Sequence, residues 1–105
     1  MRNELQLEEE EAYETLPGCP TLTFPLQNFE QALPYYSFKS ANYQKDRIVI
    51  EFEAGTLTIS GASLSELWRH LQVQDVRSVK CYWSGIDDEI RINSIEWKKR
   101  VEKKV

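Results

Sequence analysis

The sequence predicts an α+β fold, in which a small antiparallel sheet of about five strands carries one main amphipathic helix on one face. Two segments support this prediction, a hairpin pattern over 47–60 and a helix pattern over 63–72. Strand patterns before and after them give the order β-β-β-α-β-β. These segments assign most apolar residues to a core and leave few for chemistry.

The hairpin is predicted by a period-two pattern over 47–53, in which Val49 is the one apolar residue on the outward face, and again over 56–60. The apolar residues that share one face are Ile48, Ile50, Phe52, Leu57 and Ile59. Ala54 and Gly55 are expected to form a tight turn, with the glycine at positive φ. The polar opposite face is typical of an antiparallel sheet that is solvated on one side.

The helix is predicted by apolar residues at the i, i+3, i+4 and i+7 spacing, which are Leu64, Leu67, Trp68 and Leu71. Ser63 and Glu66 match the S-x-x-E pattern of a capping box at its start. We therefore expect a capped helix that covers the apolar face of the hairpin.

The remaining strands are predicted over 35–41, 77–83 and 90–97. Val79, Cys81 and Trp83 alternate within the second of these, so Cys81 is expected to be a buried thiol. The alternation changes phase at Asn93, which predicts a β-bulge or a strand end there.

Ahead of these strands, the proline-rich segment 16–25 is expected to be a loop. Asn28 and Gln31 match a second capping box, which predicts a short helix that ends at Pro34.

Charge divides the 105-residue chain into three predicted parts. Residues 1–14 carry six glutamates against one arginine and are expected to be a disordered acidic arm. Residues 15–97 form the single α+β domain, and 98–105 form a basic C-terminal tail. The two charged ends are expected to be solvated, although they could also attract each other.

No catalytic, cofactor or metal site is predicted. The chain has four glycines without a phosphate-binding spacing, and its two cysteines lack metal-ligand spacing. Cys81 and His70 are the only Cys/His pair that could serve nucleophilic catalysis. Cys81 is better explained as a residue that fills the core, and His70 as a residue at the boundary of the helix's apolar face. Asp87, Asp88 and Glu89 are best explained as a solvated turn. The sequence therefore favours a non-catalytic protein.

Localisation is predicted to be cytoplasmic. No apolar run approaches the length of a membrane span, so no membrane partner is expected. Glutamates occupy the N-terminal positions where a signal peptide would carry an apolar segment.

Aromatic residues give the best indication of a partner. Tyr82 and Trp83 point to opposite faces of one strand, so one of them is expected to be exposed. Trp97 precedes a basic cluster of Lys98, Lys99 and Arg100. Tryptophan, tyrosine and arginine are enriched at protein-binding hot spots, and an aromatic beside cations also suits nucleic acid.

The leading hypothesis is a non-catalytic protein–protein interaction or self-assembling module, which uses an exposed sheet face or edge. A homo-oligomer formed through an edge strand is one version of it. The alternative is a small nucleic-acid-binding domain that uses the segment 97–104. Residues 15–97 carry ten acids against seven bases and the chain has a pI near 5.0, so a protein partner is favoured.

Overall fold

The computed structural model describes residues 11–101, which form nine strands in two sheets, one α-helix and a 3₁₀ turn at Tyr35–Ser37. The strands are β1 (Tyr13–Thr15), β2 (Thr21–Pro25), β3 (Glu30–Pro34), β4 (Phe38–Gln44), β5 (Arg47–Phe52), β6 (Gly55–Ala62), β7 (Val76–Val79), β8 (Tyr82–Trp83) and β9 (Arg91–Lys99). The helix α1 spans Ser65–Gln72, between β6 and β7. The molecule is thus a small mixed domain that is mostly sheet, at 54% strand.

The five-stranded sheet is antiparallel, in the order β4-β5-β6-β9-β8. The four-stranded sheet has the order β1-β7-β2-β3, with β2 and β7 parallel. The prediction of one small sheet of about five strands was therefore too small. The five-stranded sheet contains most of the segments predicted as strands, and the other sheet is built largely from the first third of the chain.

The two sheets share one core. The rings of Phe24 on β2 and Trp97 on β9 lie 5.7 Å apart between centroids. The buried Tyr35 hydroxyl, just after β3, donates a hydrogen bond of 2.6 Å to the carbonyl of Val76 on β7. The ring contact joins the two sheets, and the hydrogen bond holds the segment between β3 and β4 against β7 of the four-stranded sheet. The buried side chains form one cluster, so the core lies between the sheets and beneath α1.

The hairpin prediction is confirmed. Each of its five inward residues is at most 1% exposed, and Ile48 pairs with Ile59 while Ile50 pairs with Leu57. The turn lies at 53–54, because Phe52 pairs directly with Gly55. Positive φ at Gly55 was a wrong prediction. That glycine is instead required by close packing, since a Cβ there would lie 2.9 Å from the Trp97 ring.

The helix prediction is confirmed for its position and its apolar stripe. Leu64, Leu67 and Leu71 are buried, and the Trp68 ring stacks on Tyr43 of β4 at 5.7 Å. The capping box is wrong, because no side chain caps the helix. Ser63 has a φ of 57°, and the Glu66 carboxylate instead pairs with the Arg69 guanidinium.

The predicted strand over 77–83 is divided between the two sheets. β7 pairs with β1 and β2, whereas β8 pairs with β9. The chain crosses between the sheets at Lys80 and Cys81, which leaves the Cys81 thiol exposed. Burial of Cys81 was therefore a wrong prediction. The bulge in β9 is confirmed, because the register with β6 skips Asn93.

Both predictions for 16–34 were wrong. The segment expected to be a loop contains β2, and the residues expected to form a short helix contain β3. Leu22 pairs with Leu33 in an antiparallel hairpin, and both side chains enter the core. Residues 1–10 of the acidic arm and 102–105 of the basic tail lie outside the described residues. Strand β1 crosses the boundary that was expected after residue 14.

Candidate functional site

The six residues predicted to bind a partner lie at two ends of β9. Tyr82 and Trp83, on β8, pair with Ile92 and Arg91 at the start of β9. Trp83 is 52% exposed, and the Arg91 guanidinium lies 5.5 Å from its ring. Lys98 and Lys99 end β9, and Arg100 follows it. The structure therefore does not bring these two aromatic residues together with the basic cluster.

Trp97 faces the core, on the side of the sheet opposite to Lys98. It pairs with the fully buried Leu57, and its ring packs on Phe24. Lys98 pairs with Thr56 and points to the opposite, outer face of the sheet. The Trp97 ring and the Lys98 side chain therefore lie on opposite faces of the sheet.

The basic cluster lines a cleft of about 440 Å³ at one end of the five-stranded sheet. The β5–β6 turn, the start of β4 and the end of β9 meet at this end. Its charged lining residues are Lys39, Glu51, Lys98, Lys99 and Arg100. We call this feature the basic cleft. Sequence reasoning missed Lys39, because only the strand order places it near Lys98.

Arg100 is held at the mouth of the basic cleft by the neighbouring turn. Its backbone N–H donates a 2.8 Å hydrogen bond to the carbonyl of Ala54, and its guanidinium Nη1 lies 3.5 Å from the carbonyl of Glu53. The β5–β6 turn thus fixes where the basic chain end leaves the sheet.

The free edge of β4 is a second candidate surface. β4 pairs with β5 on one side, and among residues 11–101 no strand pairs with its other side. Its inward residues are Phe38, Ala41 and Tyr43, and its outward residues include Ser40 and Asn42. The strand contains no proline and carries one lysine near its start. It therefore lacks most of the features by which natural edge strands avoid pairing with another chain.

An apolar cavity of about 290 Å³ opens beside this edge, between β4 and α1. It is lined by Phe38, Ala41, Trp68, Leu71 and Gln72. Sites that accept an added strand combine backbone hydrogen bonds at the edge with pockets for side chains. The β4 edge, defined as Phe38–Gln44 together with this cavity, has both parts.

The residues considered for catalysis have separate structural partners. The His70 Nδ1 atom lies 3.0 Å from Oδ1 of Asp75, and the Cys81 thiol lies 3.6 Å from the carbonyl of Asn93. Asp87, Asp88 and Glu89 are exposed in the turn between β8 and β9. Within 11–101, no group of three or more histidine, cysteine or acidic residues is placed to hold a metal ion.

Among residues 11–101, the two groups with a raised pKa, Tyr13 and Tyr35, lie outside the basic cleft and the β4 edge. Burial raises the pKa of Tyr35, and the nearby Cys19 adds to this effect. Burial also raises the pKa of Tyr13, with a further contribution from Glu66. The candidate surfaces are therefore defined by shape, charge and unpaired backbone.

In the described part of the chain, α1 is too short and too polar to cross a membrane. A scan of protein-family models, a search of curated proteins and a search of solved structures found no match to this chain.

Proposed function

We propose that this protein is a non-catalytic protein-interaction module that assembles with a second copy of itself through the β4 edge. The observation that supports the proposal is a seven-residue strand beside an apolar cavity, with whose outer side no strand of residues 11–101 pairs. Pairing β4 with β4 of a second copy would join two five-stranded sheets into one continuous sheet.

An antiparallel pairing about a two-fold axis at Ala41 uses the whole strand. It sets Ser40 opposite Asn42 of the second copy, and Lys39 opposite Tyr43. No like charges face each other in this register, and like charges directly opposite would destabilise it. Because Ala41 lines the apolar cavity, the cavities of the two copies would adjoin at the axis and be covered together.

The test is the solution mass, measured by light scattering behind a sizing column over a range of protein concentrations. We expect a dimer for the natural chain. The S40K/N42K variant sets two pairs of lysines against each other across the axis, so its dimer dissociation constant should rise about tenfold, at ~0.7 kcal/mol for each pair. The S40K/N42E variant places opposite charges at the same positions and should restore the dimer.

The matched control is Q27K/N28K, which adds the same charge at two exposed positions in the turn between β2 and β3. This control should leave the dimer unchanged. A natural chain that is monomeric at all concentrations would contradict self-assembly, and equal effects of S40K/N42K and S40K/N42E would exclude this register.

The nucleic-acid alternative has one supporting observation, which is the positive charge of the basic cleft. Stacking of bases on Trp97 is not available to it, because that ring packs on Phe24 in the core. The protein-interaction function is therefore the better supported of the two proposals.

A further inference from the structure

The basic cleft combines cations from two separate strands. Lys39 comes from β4, and Lys98 and Lys99 come from β9, with Arg100 directly after it. Glu51 of β5 is the only acidic side chain in the described lining. The cleft therefore carries three net positive charges on a protein whose overall charge is −4.

These cations are not neutralised by the described part of the protein. Within residues 11–101, none of the four forms an ion pair with a carboxylate. Glu51 instead accepts a 3.4 Å hydrogen bond from the Ser40 hydroxyl. A concave site with several unpaired cations attracts a ligand that carries several negative charges.

The other lining groups distinguish an acidic peptide from a nucleic acid. Proteins that bind single strands stack the bases on exposed aromatic rings. The aromatic residue in this lining, Phe52, is 1% exposed, and Trp97 faces the core. The Glu51 carboxylate repels phosphate and carboxylate groups alike, but a peptide also offers backbone N–H groups from which Glu51 can accept a hydrogen bond.

We propose that the basic cleft binds a glutamate-rich peptide segment, in which several carboxylates contact Lys39, Lys98 and Arg100. The chain itself contains such a segment, because four consecutive glutamates occupy 8–11. The segment that occupies the cleft is supplied by this chain or by another protein. The chemistry of recognition is the same in both cases, and it does not depend on assembly through β4.

The probe is a fluorescein-labelled peptide with the sequence of residues 1–14, titrated with the full-length protein at low ionic strength and followed by fluorescence anisotropy. The control peptide replaces Glu8, Glu9, Glu10 and Glu11 by glutamine. The K39Q/K98Q variant tests the cleft, and K45Q/R77Q removes the same charge at two exposed positions outside it. Thermal unfolding of both variants verifies that they are folded.

We expect the glutamate peptide to bind at least tenfold more tightly than the glutamine peptide, and its binding to weaken as salt is raised. K39Q/K98Q should weaken this binding about tenfold, and K45Q/R77Q less than twofold. Equal binding of the two peptides, or equal effects of the two variants, would overturn the proposal. Tighter binding of an oligothymidylate of about 12 nucleotides would overturn it in favour of nucleic acid.

The E8Q/E9Q/E10Q/E11Q variant of the full-length protein identifies the source of the segment. If it binds the glutamate peptide more tightly than the natural chain does, the chain's own arm competes for the cleft. Equal affinities would mean that the cleft is open to a segment from another protein. Both results support a cleft that binds carboxylate-rich peptide.

Discussion

Replacing Tyr35 by phenylalanine tests the contact that holds the 3₁₀ turn between β3 and β4, where the chain passes from one sheet to the other, against β7. The side chain is 7% exposed, and its hydroxyl donates a 2.6 Å hydrogen bond to the Val76 carbonyl on β7. Phenylalanine keeps the ring and removes only this bond. A buried hydrogen bond contributes about 1 kcal/mol, and the carbonyl left without its donor adds about 1 kcal/mol more. We therefore expect Tyr35→Phe to lower the free energy of unfolding by about 2 kcal/mol.

The adjacent residue supplies a matched control. Tyr36 is 91% exposed, so Tyr36→Phe makes the same chemical change without loss of a buried contact. At ~4 °C per kcal/mol for a domain of this size, Tyr35→Phe should lower Tm by about 8 °C and Tyr36→Phe by less than about 2 °C. Urea unfolding followed by tryptophan fluorescence gives the free energies directly. If the two variants differ by less than about 0.5 kcal/mol, the Tyr35 bond does not hold this turn against β7 as described.

The same residue predicts an alkaline limit to stability. Burial raises the pKa of Tyr35 above its ordinary value of 10.0. Below pH 10 both the folded and unfolded states keep the proton, so the stabilisation is complete. Above that pH the unfolded chain loses the proton first, and the free energy of unfolding falls by up to about 1.4 kcal/mol per pH unit. Tyr35→Phe should make this decline shallower, and Tyr36→Phe should not.

Three further predictions follow from packing and exposure. Gly55→Ala places a Cβ against the Lys98 carbonyl and 2.9 Å from the Trp97 ring, so urea unfolding should show a loss of about 2–3 kcal/mol. Ala54→Ser, in the exposed turn, should cost less than about 0.5 kcal/mol. Trp83→Ala removes a half-exposed ring and should lower the free energy of unfolding by about 1 kcal/mol. Phe24→Ala empties a fully buried site and should lower it by about 3–5 kcal/mol. Similar losses in the two variants would contradict the burial assigned to these rings. Cys81 is exposed and Cys19 is buried, so a thiol reagent should label one cysteine per native chain and both after denaturation. Rapid labelling of both thiols in the native protein would contradict the buried position of Cys19.

The hairpin and the helix could be predicted because their burial pattern follows from their own sequence. Ile48, Ile50 and Phe52 recur at every second position, and the residues between them are polar except for Val49, which favours a strand over a helical period. The bulge at Asn93 was also visible, since a skipped residue changes the phase of the alternation. Local periodicity was sufficient wherever a single element determines which side chains are buried.

The β2–β3 hairpin was missed because its local signals favour other structures. Prolines surround the short alternation of Leu22 and Phe24, and Phe29, Ala32 and Leu33 fall at a helical spacing. Pairing with β7 and burial of Leu22 against Leu33 determine the strand conformation instead. Contacts between distant segments override propensity in such short elements.

The sheet crossing at Lys80 and Cys81 could not be predicted from periodicity for a related reason. Val79, Cys81 and Trp83 alternate without interruption, yet Val79 and Trp83 belong to different sheets and Cys81 lies at the crossing between them. Alternation shows which side chains share a direction, and it does not show which strand lies beside them. The basic cleft depends on the same information, since Lys39 and Lys98 meet only through the strand order β4-β5-β6-β9.

Lys39 links the two proposed surfaces, because it belongs to β4 and also lines the basic cleft. The S40K/N42K variant therefore separates the two functions. Its added lysines oppose self-pairing of β4, and they also increase the positive charge beside the cleft. If the surfaces act independently, this variant should weaken the dimer and bind the glutamate peptide at least as tightly as the natural chain. If peptide binding is lost together with the dimer, the cleft requires the paired sheet, and the two proposals describe one surface.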